Sequence, residues 1–362
     1  MNGQQVPSDL MDRRKFLQLT GGLAAVGLAS AAAAGGVFAA SQGKSSSSAA
    51  SGASATQTAS HDMAMQGASP TATPPSERPK GSGNIASVRD ASLPPLDPSR
   101  AKTLRIETKE LTHEVAGSVT MDAWTFDGVL PGNVVHVREG DAIAFTLHNG
   151  GTMGHSIDFH AAQTPWNVSY KTILPGQDIS FNWKANYPGV FMYHCGTGPV
   201  LQHLINGMYG AVVVDPAQPF APAHEYVLVQ SEFYLSKGKT GNWDGDLVRA
   251  SAVQPDFVVF NGAAGQYQQQ PLQASAGELI RLHVVNAGPT LFSAFHVIGA
   301  IFDKVYPDGN PTNVLRGVQT WTIPPGGGAT FELIIPEAGQ YPFVTHSFAY
   351  TGLGAIGVIE VK

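Results

Sequence analysis

From about residue 98 onward, hydrophobic and polar residues alternate in short runs, and turn-forming residues separate these runs. Clear examples are "NVVHVREGDAIAFTLHN" (133–149), "DISFNWKA" (178–185) and "GAVVVDP" (210–216). Side chains on a strand point to opposite faces in turn, so this alternation predicts strands with one buried face. Gly, Pro, Asn and Asp between the runs predict tight turns. The pattern therefore predicts an all-β protein of the sandwich or barrel type.

The same pattern occurs twice along the chain. Three segments of the first copy resemble segments of the second, namely 138–151 with 275–288, 174–195 with 323–347, and 207–214 with 352–359. A repeat this long, present in two copies, predicts two similar domains rather than a solenoid. We place these domains at 98–217 and 218–362.

Two segments of different character precede the first domain. Residues 1–40 contain a twin arginine (Arg13 and Arg14) followed by an Ala/Gly/Leu stretch, and they resemble a twin-arginine export signal. The alternative is an uncleaved membrane anchor, because the stretch is long enough to span a bilayer. Residues 41–97 are rich in Ser, Ala, Thr, Pro and Gly and predict a disordered linker. We therefore expect an exported protein, periplasmic or otherwise extracytoplasmic, with a membrane tether if the signal is retained.

The composition limits the classes of function. Charged residues make up 13% of the 362 residues and the net charge is −6, which argues against a surface that binds nucleic acid. The chain has one cysteine, Cys195, so a disulfide within the chain is excluded. An isolated cysteine is most often an inert core residue, and its neighbours must decide between that role and chemistry.

The neighbours of this cysteine include other metal-binding side chains. Cys195, His203 and Met208 follow the spacing C-x7-H-x4-M, and His155 stands at the start of a predicted strand. Two imidazoles, one thiolate and one weak thioether form the ligand set of a blue-type copper site. Zinc more often takes several thiolates, or His and Cys without Met. These four residues therefore predict a copper site.

Strand alternation predicts a second cluster next to the first. His194 directly precedes Cys195, so its side chain points to the opposite face of the strand. In the segment "HSIDFH", Asp158 and His160 share one face, whereas His155 points to the other. We expect His155 and Cys195 to face inward and the remaining three side chains to face outward.

The two outward-facing histidines supply too few ligands for a catalytic metal. Such a metal usually has three protein ligands and one open position, whereas His160 and His194 supply two. His346 of the second domain stands opposite His194 in the repeat. In a symmetric ring, the second domain of a neighbouring subunit can close over the outward face and bring its His346 and His296 there.

The motifs around these residues resemble those of copper-containing nitrite reductases, which are homotrimers of two-domain cupredoxin subunits. The resemblance depends on "GHSIDFH", on "YHC" followed by "GM", and on "VVFNG", "FHVIG" and "TH" followed by "GLGAIG". It covers nearly all of residues 98–362. It implies two tandem cupredoxin-like Greek-key domains that bind one type 1 and one type 2 copper per chain.

The resemblance also implies a role for each candidate residue. The type 1 copper ligands that it implies are His155, Cys195, His203 and Met208. The type 2 ligands are His160 and His194 of one subunit together with His346 of its neighbour. Asp158 and His296 match the proton-handling pair of the family, and Ile298 matches the bulky residue above the substrate.

The implied reaction is the one-electron reduction of nitrite to nitric oxide in denitrification, with electrons from a small cupredoxin or a c-type cytochrome. Two other functions are weighed against it. A laccase-like multicopper oxidase needs several His-x-His pairs for its trinuclear centre, and the sequence contains none. A type 1 copper electron carrier would leave the outward cluster and His346 without a role.

Overall fold

The structure is a computed structural model that describes residues 77–362. The predicted export signal (1–40) and most of the predicted linker, residues 41–76, lie outside the described residues. Within residues 77–362, every helix is too short or too polar to cross a membrane.

The described residues form 21 β-strands and 5 short α-helices. The strands of the first half are β1 (Ala101–Ala116), β2 (Val119–Phe126), β3 (Val135–Arg138), β4 (Ala142–Asn149), β5 (Asp158–Phe159), β6 (Asp178–Lys184), β7 (Gly189–His194) and β8 (Tyr209–Asp215). Those that follow are β9 (His224–Phe233), β10 (Leu235–Lys237), β11 (Trp243–Gly245), β12 (Phe257–Phe260), β13 (Leu272–Ala274), β14 (Leu279–Gly288), β15 (Ser293–Val297), β16 (Phe302–Pro307), β17 (Leu315–Val318), β18 (Thr320–Ile323), β19 (Gly328–Ile334), β20 (Gly339–Thr345) and β21 (Ile356–Val361). The helices are α1 (Trp166–Ser169), α2 (Val200–Ile205), α3 (Leu247–Ser251), α4 (Gln266–Gln269) and α5 (Phe348–Thr351).

The strands form two pairs of sheets. The first pair has the orders β10-β11-β2-β1-β4-β6 and β3-β8-β7-β5, and the second has β12-β9-β14-β19-β16-β17 and β13-β21-β20-β15-β18. The duplication seen in the sequence is also present in the pairing. β4 is parallel to β1 and antiparallel to β6, and β14 is likewise parallel to β9 and antiparallel to β19. The predicted all-β fold class is confirmed.

The structure departs from the predicted domain limits in two places. β10 and β11 come after residue 218, yet they extend the first sheet through the pairing of Trp243 with Met121. Residues 77–97 fall within the predicted linker, but Ile85 and Ala91 are buried against the folded domains. Arg89 of this segment donates a hydrogen bond to the carbonyl oxygen of Pro131. The linker prediction is therefore corrected at this end, because hydrogen bonds can hold a segment that has few aliphatic side chains.

The two faces of β7 pack against different parts of the molecule. Tyr193 and Cys195 lie in the hydrophobic core of the first domain. Val190 and Met192 lie in a second hydrophobic cluster that includes residues of β9, β12 and β14 from the second half. Gly328 of β19 approaches the Val190 carbonyl so closely that an added Cβ would lie 2.2 Å from the oxygen. The face of β7 opposite Cys195 is thus packed against the second domain of the same chain.

Candidate metal centres

The first cluster, which we call the buried cluster, consists of His155, Cys195, His203 and Met208, and all four residues are at most 4% exposed. The Sγ of Cys195 lies 3.3 Å from Nδ1 of His203 and 4.0 Å from Nδ1 of His155. The two Nδ1 atoms are 3.3 Å apart. Met208 packs in the same hydrophobic core as Cys195. The sequence-predicted residues of this site are therefore together.

Each residue of the buried cluster is positioned by the backbone around it. His155 exchanges two backbone hydrogen bonds with Ile173, which fixes it just before β5. The N–H of Cys195 donates to the carbonyl oxygen of Met208 at 3.0 Å, so these two residues are held across neighbouring strands. His203 lies on the short helix α2, in the loop that joins β7 to β8.

The electrostatics of the buried cluster suit a metal cation. Burial lowers the pKa of His155 to about 4, with the charge of His203 adding to the effect, and burial also lowers the pKa of His203. Both imidazoles are therefore neutral near pH 7, with nitrogen lone pairs available for a metal. The N–H of Ser156 points at Cys195 Sγ from 3.4 Å, and such a donor stabilises a thiolate. Two imidazole nitrogens and one sulfur in this arrangement fit copper.

The second cluster, which we call the outer cluster, consists of Asp158, His160 and His194. Asp158 pairs directly with His194 across β5 and β7, and the backbone N–H of His160 donates to Met192 on β7 at 3.0 Å. The Nε2 atoms of His160 and His194 are 3.1 Å apart. Nε2 of His194 lies 3.8 Å from a carboxylate oxygen of Asp158. All three side chains thus converge on one point at the end of β7.

The other ring nitrogens show how the two histidines of the outer cluster are oriented. Nδ1 of His194 donates to the carbonyl oxygen of Cys195 at 2.9 Å, and Nδ1 of His160 donates to that of Gly326 at 3.1 Å. Because a carbonyl only accepts, each ring carries a proton on Nδ1, and in the neutral imidazole this leaves the lone pair on Nε2. Burial lowers the pKa of His194, and the charge of His160 adds to this. Two lone pairs facing each other at this distance fit a cation between them.

The predicted residues of the second domain lie elsewhere in the chain. His346 follows β20 and is exposed, and its ring centre is 5.4 Å from that of His296 on β15. Ile298 is 40% exposed. Among residues 77–362, the groups with three mutually close ligand atoms contain no residue of this set. Within one chain, the structure therefore does not bring His346 to the outer cluster.

Two contacts at these clusters were not predicted from the sequence. The carbonyl of Gly326 reaches His160 from the second domain. The ring of Trp124 lies edge-on to both imidazoles of the buried cluster, with centroids 5.1 Å from His203 and 5.9 Å from His155. Both contacts depend on how distant segments pack, although the Pro-Pro-Gly-Gly run at 324–327 does indicate a turn.

The sequence is similar to proteins of known function. Residues 107–219 match the family described as multicopper oxidase. The copper-containing nitrite reductase of Neisseria gonorrhoeae is 40% identical over 267 residues, which cover 72% of this chain and 68% of that protein. The copper-containing nitrite reductase of Alcaligenes xylosoxydans xylosoxydans is 33% identical over 268 residues, which cover 67% of this chain and 80% of that protein.

Solved structures of copper nitrite reductases from other organisms are also similar to this chain. The copper nitrite reductase from Nitrosomonas europaea superimposes with a TM-score of 0.68 at 38% identity, covering 72% of this chain and 94% of that chain. The Cu-containing nitrite reductase from Thermus scotoductus SA-01 has a TM-score of 0.67 at 30% identity, covering 72% of this chain and 62% of that chain. These likenesses confirm the predicted tandem cupredoxin-like architecture.

Proposed function

The chain belongs to the copper-containing nitrite reductase family, and from this premise we propose how its own residues bind copper and reduce nitrite. As a member of that family it is a copper-dependent oxidoreductase. The reaction consumes nitrite, two protons and one electron, and it yields nitric oxide and water. One N–O bond of nitrite breaks, and both protons end in the water.

We assign the type 1 copper to the buried cluster and the type 2 copper to the outer cluster. His155, Cys195 and His203 would hold the type 1 copper, with the thioether of Met208 as a weaker fourth ligand, and this set favours copper over zinc. The type 2 ligands from the same subunit are His160 and His194. When bound, copper supplies an electron-transfer centre at the first site and a Lewis acid that binds the nitrite anion at the second.

The third type 2 ligand is His346 from a neighbouring subunit of a homotrimer. Supporting this, His346 is exposed in the single chain and lies away from the outer cluster of its own chain. Phe348, whose ring centre lies 4.5 Å from that of His346, is 56% exposed. Phe292 and Ile298, which flank the strand of His296, are 59% and 40% exposed. Exposed apolar groups next to ligand side chains are typical of a surface that a partner covers. A closed ring would give every outer cluster one such histidine.

The electron passes between the clusters through Cys195 and His194. These residues are consecutive, and their side chains leave β7 on opposite faces. The path consists of covalent bonds through one peptide unit. The hydrogen bond from His194 Nδ1 to the Cys195 carbonyl, 2.9 Å long, adds a second connection. The external donor that we propose is a small cupredoxin or a c-type cytochrome.

Protons come from Asp158 and His296. Asp158 lies at the outer cluster and is about one-third exposed, so its carboxyl group can exchange protons with water and hydrogen-bond a bound oxygen. His296 is held by a hydrogen bond from its Nδ1 to the carbonyl oxygen of Gln319, which leaves Nε2 free. With Ile298 it would close the substrate pocket together with His346.

The observation that carries this proposal is the pair of clusters on opposite faces of β7. A laccase-like oxidase would need His-x-His pairs, and the sequence has none. A simple electron carrier would not need the two Nε2 lone pairs that converge in the outer cluster. Electron paramagnetic resonance of the purified protein, together with the total copper content per chain, separates the three functions. One type 1 and one type 2 signal that account for all of the bound copper support the reductase, and a type 1 signal alone supports the carrier. The same two signals with additional copper that gives no signal, as a strongly coupled pair does, support the oxidase.

We further propose that the twin-arginine segment exports the protein to the periplasm, where it serves denitrification. Cofactor-containing proteins are common passengers of the twin-arginine route because it carries folded chains. Cell fractionation with the intact sequence and with both Arg13 and Arg14 changed to lysine tests this. Retention of the variant in the cytoplasm is the expected result, and unchanged export would contradict it.

A further inference from the structure

One ligand of the outer cluster is hydrogen-bonded by the other domain of its own chain. The turn 324–327, which we call the Pro-Gly turn, joins β18 to β19. Its Gly326 carbonyl accepts the hydrogen bond from His160 Nδ1 at 3.1 Å. The Gly326 backbone has a φ of +78°, and an added Cβ would lie 3.3 Å from His160 Cε1. The backbone of this turn therefore fits tightly against the imidazole ring.

The Pro-Gly turn is held in place by one buried asparagine, Asn286, which has no exposed surface. The N–H of Gly326 donates to the Asn286 carbonyl at 2.7 Å, and the Asn286 N–H donates to the Gly327 carbonyl at 2.9 Å. The side-chain amide donates to the carbonyl oxygens of Leu291 and Ile323 at 2.7 and 3.0 Å. The two side-chain bonds are buried, and together with the two backbone bonds they fix the position of the Gly326 carbonyl relative to β14.

The first domain contains the same arrangement, a turn bonded to a buried asparagine, at the equivalent place in the repeat. The N–H of Gly176 donates to the Asn149 carbonyl at 2.7 Å, and the Asn149 N–H donates to the Gln177 carbonyl at 2.9 Å. The Asn149 amide donates to Ile173 at 2.9 Å. Gly176 has a φ of +77°, nearly that of Gly326, but no atom lies within 4 Å of its Cβ position. The duplicated turn therefore contacts a histidine only in the second domain.

We propose that Gly326 is a positioning residue for the type 2 copper. Its carbonyl holds the proton of His160 on Nδ1 and fixes the ring so that the Nε2 lone pair points towards His194. Partners of this kind around metal ligands typically change metal affinity 10–100-fold when they are disturbed. The second domain then helps to build the site twice, through this turn within a subunit and through His346 between subunits. The inference rests on the proposed type 2 site.

The comparison of Gly326→Ala with Gly176→Ala tests this role. Both changes place a side chain at the same positive φ, so the backbone strain is matched, and only the first adds a contact with His160. Copper-loaded proteins are dialysed against a graded chelator, and the type 1 and type 2 signals are integrated by electron paramagnetic resonance. We expect Gly326→Ala to lose type 2 copper at about 10–100-fold lower chelator concentration, with its type 1 signal retained. Gly176→Ala should retain both signals like the wild type.

Equal retention of type 2 copper by Gly326→Ala and the wild type would overturn the inference, as would equal loss in both variants. If Gly326→Ala fails to fold, Gly326→Asn replaces it, because asparagine tolerates positive φ better and still places a Cβ against the ring. Its expected result is the same selective loss. A wild type with no type 2 signal would instead contradict the proposed function, which keeps the two failures distinct.

Discussion

His194 and Cys195 are consecutive residues, yet each belongs to a different candidate metal-binding cluster. Cys195 Sγ lies 3.3 Å from His203 Nδ1, whereas His194 Nε2 lies 3.1 Å from His160 Nε2. β7 separates the two clusters because its side chains alternate between the core of the first domain and the surface that packs on the second. The shortest connection between the sites is therefore covalent, and a change at either residue should affect one copper and leave the other.

Replacing Cys195 with alanine should remove the type 1 copper alone. The thiolate is the ligand responsible for the visible charge-transfer band of a blue-type site, so we expect the band to disappear. Turnover with a protein donor should fall to background, because electrons no longer enter at the buried cluster. The type 2 resonance should persist, since His160 and His194 are unchanged. An unaltered visible spectrum would disprove the type 1 assignment.

A second prediction concerns the sharing of the outer site between subunits. His160→Ala and His346→Ala should each keep the visible band and lose nitrite turnover, because each removes a proposed type 2 ligand. Mixed rings of the two variants should recover activity wherever an intact His160 meets an intact His346 from the next subunit. Random mixing in a closed ring restores about a quarter of the sites. The measurement is nitrite consumption after the two variants are unfolded together and refolded with copper.

The control for the mixed rings is each variant refolded alone, which should stay inactive. Recovery would show that the two histidines act across a subunit boundary. If the mixture stays inactive while refolded wild type regains activity, the ligands do not come from neighbouring subunits. If His346→Ala alone retains turnover, His346 is not a ligand.

Asp158→Asn should slow nitrite reduction while both copper signals remain. The asparagine can still hydrogen-bond an oxygen but cannot donate a carboxyl proton, and general-acid groups typically contribute 10²–10⁴-fold to a rate. A matched control is Asp178→Asn, because Asp178 lies on β6 and bonds His148 on the surface, away from both clusters. Steady-state rates in both variants check the prediction, and a loss in the control as large as that in Asp158→Asn would contradict it.

The grouping of the side chains in the two clusters was largely predictable, because most of them lie on or next to two short strands and one short helix. Strand alternation alone separates His194 from Cys195, and the short helix α2 keeps His203 within reach of Cys195. The contact of Gly326 with His160 was not predictable in this way. It depends on how β19 packs against β7, and a repeating pattern of apolar residues such as Val190 and Met192 does not specify which loop arrives beside them.

The limits of the domains were harder to predict than the strands. A three-residue strand such as β11 shows little alternation, so its pairing with β2 leaves no clear pattern. Residues 77–97 have a composition typical of linkers. They are held by hydrogen bonds of Arg89 and of backbone groups, with only isolated buried side chains such as Ile85 and Ala91. Hydrophobic patterns report burial of side chains, and they miss segments that are held by hydrogen bonds.

The last prediction concerns stability and pH, and it depends on a histidine that is not a proposed ligand. His283 of β14 is 2% exposed, and its Nε2 lies 3.0 Å from a carboxylate oxygen of Glu225. Its Nδ1 lies 3.0 Å from the hydroxyl of Thr330. Burial lowers the pKa of His283, although Glu225 opposes the shift, and the charge of Arg281 supports it. The folded state therefore binds a proton here less readily than the unfolded chain does.

This difference in proton binding makes the folded state less stable relative to the unfolded chain as the pH falls. An unfolded histidine takes up its proton as the pH falls through about 6.5, so the free energy of unfolding should fall as the pH drops below about 7, and this contribution should be constant above it. His283→Gln keeps hydrogen-bonding groups but does not titrate, so its stability should fall less steeply between about pH 7 and 5.5. Each unit of pKa shift is worth about 1.4 kcal/mol.

Denaturant titrations of copper-loaded wild type and variant at several pH values measure the difference in stability between the two proteins. The contributions of the proposed ligand histidines cancel in this difference. The control Thr330→Val removes a hydrogen-bond partner without removing a titrating group, so it should lower stability and keep the wild-type slope. A slope in His283→Gln as steep as that of the wild type would mean that His283 is not held neutral by its burial.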